Sequence, residues 1–130
     1  MSIQVERVNE VAKKVSDTLQ TLSPVLRSDY IVKGTTAAWV YDGLTKPKEF
    51  SISLLSRAFE LLLVSLKCSE ESKEILRDSG KVQLDGVVVY KHYKSINVEV
   101  ISGVKVQAPE TLRLCIEPKR FLTLIEVGAI

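Results

Sequence analysis

The chain is poor in the residues that most often carry chemistry: two cysteines, one histidine, one methionine and one tryptophan among 130 residues. Two cysteines and one histidine cannot close a tetrahedral zinc site without carboxylate help, and no ligand spacing suggests one. No metal and no cofactor are therefore expected. The single His92 restricts nucleophile–base pairs to Cys68–His92 or Cys115–His92, and neither cysteine stands in a glycine-rich or strained-turn context. Dinucleotide, Walker, zincin and nucleophile-elbow motifs are all missing, and Gly34-Thr35-Thr36 is only a fragment of a phosphate loop. Asp42, Glu49, Asp85 and Glu99 offer carboxylates, but nothing in their spacing singles out a pair. The expectation is a protein that is not an enzyme.

Charge of one sign is also lacking. Eighteen basic residues face 16 acidic ones, a net +2, so any nucleic-acid or membrane surface has to be a local patch. The apolar run Leu61 to Val64 is far too short to span a bilayer. The first ten residues carry charges and hold no uninterrupted apolar core of a signal peptide. A soluble cytoplasmic protein with no membrane partner follows, with Cys68 and Cys115 expected as buried free thiols.

What is present is an ordinary globular composition, 45% hydrophobic and 26% charged, in a length that supports one core without disulfides. Abundant Val, Ile and Leu beside scarce Met, Cys and His fits a thermophile. Residues 3 to 23 read as an amphipathic helix, because Val5, Val8, Ala12, Val15, Leu19, Leu22 and Leu26 recur at steps of three and four. Ser2 is its candidate N-cap, and Pro24 ends or kinks it. The stripe suits a core-facing helix or a short seam for another chain. A short helix is expected around Ala37 to Tyr41. Ser51 then reads as the cap of a central helix running from Ile52 to Leu66, with apolar residues over most of its circumference. Ser69-Glu70-Glu71-Ser72 restarts a helix that closes with Arg77 and Gly80.

After Gly80 the period changes from helical to alternating. Asp85-Gly86 predicts a type I′ hairpin between Val82–Leu84 and Val87–Tyr90, and Ser102-Gly103 a second between Ile96–Val100 and Val104–Val106. Thr111 to Glu117 reads as a further strand, and Phe121 to Val127 as strand or short helix. The whole is an α+β domain over residues 1–130: a helical half (1–80) packed with an antiparallel β meander (81–130).

The binding features lie in lysines. Tyr90-Lys91-His92-Tyr93-Lys94 interleaves cations with aromatics, a composition that contacts phosphates through Lys91 and Lys94 while a tyrosine stacks on a base. The plain alternative is a solvated strand connection with snorkelling lysines. Lys33 before Gly34, Lys46-Pro47-Lys48 and Lys119-Arg120 are other basic loops. Candidate nucleic-acid contacts are thus Lys33, Lys46, Lys48, Lys91 and Lys94.

The order of elements resembles the small subunit of archaeal type I-A CRISPR surveillance complexes. The residues that carry it are the opening helix Val5 to Leu22, the segment Ser51 to Leu62 and the β-rich tail from Lys81. The resemblance covers most of the chain and contains no signature motif. It implies a non-catalytic subunit that joins the other proteins of a guide-RNA complex. Such a subunit helps hold guide RNA, target DNA or the displaced strand by sequence-independent backbone contacts. The alternative is a homo-oligomeric structural or regulatory protein, viral or plasmid-encoded for example, that assembles through sheet edges or its helical seam.

Overall fold

The apolar stripe that opens the chain forms helix α1, Ile3–Leu19, in a computed structural model that describes residues 3–19, 30–92 and 96–130. Val8, Val11, Ala12, Val15 and Leu19 are buried along one side of it. The expected roles of Ser2, Leu22, Pro24 and Leu26 fall outside the described residues. Strand β1 (Tyr30–Val32) leads into helix α2 (Gly34–Asp42). The Arg7 guanidinium joins α1 to this helix by donating to the carbonyls of Val40 and Tyr41 at 2.8 and 3.3 Å. A cation is favourable there, since those carbonyls belong to the negative end of α2.

The central helix expected from Ser51 to Leu66 is instead strand β2 (Phe50–Leu54) followed by helix α3 (Ser56–Ser65). The physical reason is visible in hindsight: Phe50, Ile52 and Leu54 alternate with Ser51 and Ser53, a period of two at the head of an otherwise helical apolar run. Helix α4 (Glu70–Ser79) forms as expected, with the Ser69 hydroxyl accepting from the Ser72 amide and Gly80 closing it in the left-handed region. Cys68 lies in the connection between these helices and is exposed, as is Cys115, so the expectation of buried thiols is corrected.

Strands β3 (Lys81–Leu84) and β4 (Val87–Lys91) form the first hairpin, β5 (Val98–Ile101) and β6 (Val104–Gln107) the second. Positive φ at both turn residues occurs at Ser102 and Gly103; in the other turn only Gly86 adopts it, so that hairpin forms without the type I′ geometry. The expected strand at 111–117 is a 3-10 helix, Pro109–Leu114. Pro109 presets its first φ, and β6 already has partners on both sides. Phe121 to Val127, open between strand and helix, falls mostly in helix α5, Pro118–Glu126.

The class is α+β. The hairpins do not follow one another as a meander, however: they occupy opposite ends of a six-stranded sheet of order β3-β4-β2-β1-β6-β5. Its middle comes from the first half of the chain. Pairing is antiparallel within the hairpins and between β1 and β2, and parallel for β2–β4 and β1–β6. One buried apolar cluster unites side chains of α1, α2, α3 and α5 with Val32, Ile52, Val82, Val89 and Val106 of the sheet. Among the described residues no helix is long and apolar enough to cross a membrane.

Candidate nucleic-acid interface

Register carries a residue's face from strand to strand, because paired residues point the same way and neighbours along a strand point oppositely. Val82, Val89, Ile52, Val32 and Val106 are linked by direct pairing across five strands, and all are buried in the core cluster. The next row outward from the core is Lys81–Tyr90–Ser53–Ile31–Lys105–Val100, paired across all six strands. Lys81 and Val100 are exposed, and Tyr90, Ile31 and Lys105 half-buried. Lys33 continues β1 onto this outward face, its amide donating to the Ser51 carbonyl. Counting four strand intervals at about 4.8 Å each, Lys81 and Lys105 stand about 19 Å apart with the aromatic ring between them.

Two cations converge on that ring. Lys33 Nζ lies 5.0 Å from the Tyr90 ring centroid and Lys81 Nζ 5.8 Å. Both are within cation–π range. Ser53, next to Tyr90 in register, is 2% exposed, and its hydroxyl has no hydrogen-bond partner among the described residues. Beside this row, Gln83 of β3 donates its side-chain amide to the Glu49 carboxylate at 2.9 and 3.0 Å. Among the described residues the face therefore brings Lys33, Lys81 and Lys105 together with the Tyr90 ring, and Glu49 is already engaged by Gln83.

The five lysines singled out in the sequence do not converge. Lys33 sits at the ring. Lys46 and Lys48 meet Lys14 in an open cleft at the Asp85–Gly86 turn, where Glu10 and Asp85 supply opposing charge. There Lys46 is ion-paired with Glu10 and lies over the stacked rings of Trp39 and Phe50. Lys91 pairs in register with Leu54 and so belongs to the core side of the sheet, where the hydrogen-bonded Arg77 guanidinium and, secondarily, the Lys91 charge hold the Glu60 carboxyl below its ordinary range. Tyr93 and Lys94 lie outside the described residues. Lys81 and Lys105 were missed, because each is an isolated lysine in an alternating strand and only the register joins them.

Groups weighed for catalysis are placed apart. The Asp42 side chain is buried and accepts two hydrogen bonds from Arg120, at 2.7 and 3.0 Å. Asp85 is in a hairpin turn, and Glu99, on edge strand β5, faces the phenol of Tyr41. Burial, Glu99 and Glu110 push the Tyr41 phenol well above its ordinary pKa, so it stays a donor, to the Gln107 carbonyl at 2.8 Å. The half-buried His92 continues from β4, its amide bonded to the Leu54 carbonyl. Cys115 Sγ is 3.6 Å from the Gln107 amide nitrogen. Lys119 and Arg120, expected in a basic loop, lie in the first turn of α5 and line a cleft of about 380 Å³ with Thr35, Thr45, Glu117 and Thr123. Among the described residues no group of three or more His, Cys, Asp or Glu is placed to hold a metal ion.

Comparison with known proteins returns no match: no family model, curated protein or solved structure is significantly similar to this chain.

Proposed function

We propose that the chain is a non-catalytic binding subunit that holds single-stranded nucleic acid, without sequence preference, on the outward face of its sheet. The observation that carries this reading is Tyr90 between Lys33 and Lys81, with Lys105 in the same row. A ring that stacks on any base and cations that take phosphates are the two ingredients of sequence-tolerant strand binding. The small net charge of +2 does not oppose it, since the three lysines of this face form a local patch on an otherwise balanced chain.

Fluorescence anisotropy with labelled single-stranded RNA and DNA, titrated at several salt concentrations, tests it. Tyr90→Ala should weaken binding by about 1–3 kcal/mol, roughly 5- to 150-fold. Three phosphate contacts should give a log–log salt slope near −2, and Lys105→Ala should reduce it by about 0.7. No saturable binding up to about 0.1 mM would overturn the reading.

The assembly we propose for this subunit is the guide-RNA surveillance complex that its order of elements resembles, working in the cytoplasm; that step rests on the sequence alone. Affinity purification from the native host, with half the sample treated with nuclease, checks it through recovery of CRISPR-associated proteins with short guide RNAs. Self-assembly is favoured by a separate observation, the exposure of Leu114 (94%), Leu122 (57%) and Ile125 (46%) near the C-terminal end. A discrete homo-oligomer unchanged by nuclease would support that second reading.

A further inference from the structure

The Tyr90 ring is not a bare platform. A base that stacks on it needs the π face, and in the free protein the ammoniums of Lys33 and Lys81 are drawn to that face at 5.0 and 5.8 Å. Neither lysine forms an ion pair with a carboxylate among the described residues, so the ring is the attraction that holds them. Displacing an ammonium from the ring costs binding energy unless the ligand offers that ammonium a better partner. A phosphodiester strand does so: it brings a base for the ring and flanking phosphates for the displaced cations. An uncharged base carrier brings only the base.

We propose that Lys33 and Lys81 gate the Tyr90 ring, so that it stacks preferentially on bases whose own backbone supplies phosphates to receive the two ammoniums. The inference rests on the strand-binding reading above and narrows its preferred ligand to phosphodiester single strands, over nucleosides and uncharged base polymers. The gate is reversible and non-covalent. On opening, the charges move from ring to phosphate.

The test compares an octameric single-stranded DNA with a peptide nucleic acid octamer of the same bases, on the full chain and on the double variant Lys33→Ala with Lys81→Ala. Removing the two ammoniums should weaken DNA binding about tenfold through lost phosphate contacts. The same change should strengthen binding of the uncharged octamer about fivefold or more, because two cation–π contacts no longer compete. Adding Tyr90→Ala to the double variant should abolish that gain, which places it at the ring. Opposite signs for the two ligands establish the gate. Loss or no change for both ligands overturns the gate while leaving strand binding intact. Failure of the unaltered protein to bind the DNA octamer overturns the strand-binding reading and the gate with it. Lys33→Gln with Lys81→Gln, which keeps polar side chains at both positions, repeats the comparison should the alanine pair fail to fold.

Discussion

Ile52 and Ser53 are neighbours on β2 and both buried, yet they face opposite sides of the sheet. Ile52 lies in a row of aliphatic side chains sealed against helices, while Ser53 lies in a row of lysine, tyrosine and isoleucine that the core cluster does not include. The inward row makes the fold stable and could be replaced by any well-packed aliphatic set. The outward row has no such freedom if it binds a strand, because its charges and ring have to keep their spacing. The lesson is that stability and function are separated here by one residue of register.

Substitutions can break that separation or sharpen it. The largest effect should come from Ile52→Ala, which leaves a cavity under the sheet and should cost about 2–5 kcal/mol by denaturant titration. A loss below 1 kcal/mol would mean that the inward row is not the structural one. Next comes Ser53→Ala. Its hydroxyl is buried without a partner among the described residues, so its removal should leave stability unchanged or raise it by up to about 1 kcal/mol. A clear loss in the same titration would show that a water satisfies this hydroxyl and that the outward face is built more like a core.

The smallest effect lies away from both rows. Arg77 on α4 donates to Glu60 on α3 at 2.9 Å and keeps its carboxyl below the ordinary value of 4.5. A depressed carboxylate stabilises the fold above its unfolded-state pKa and loses that contribution as the pH falls through the folded-state one. Melting curves of Glu60→Gln and the unaltered protein should therefore differ slightly at neutral pH and converge below pH 4.5. Both side chains remain in contact with solvent, so the difference should be small and fade with salt.

Local signals were readable in the sequence and non-local ones were not. The Ser69 cap with its Gly80 stop and the two hairpins depend on residues a few positions apart, and all form. Strand β2 depends on β1 and β4 for its pairing, and its three inward apolar residues merged with the helical run that follows them. Thr111 to Glu117 alternates like a strand, yet no sheet edge is left for it beside β6. The candidate site shows the same limit. Lys33 and Tyr90 are 57 residues apart in sequence by simple subtraction, and they meet only because β1, β2 and β4 are adjacent. The Lys46–Glu10 pair and the Lys91–Leu54 register likewise come from distant segments, and they move two of the expected contacts elsewhere.

The strand order has a consequence for how the molecule can be divided. The hydrophobic period changes at Gly80, where a protease site or a gene break would look harmless. Cutting there would leave one piece with the middle of the sheet and no flanks, and the other with two hairpins that share no edge. Neither piece can close its own core, so each is a natural half of a complementation pair, silent alone and restored only when both are made together.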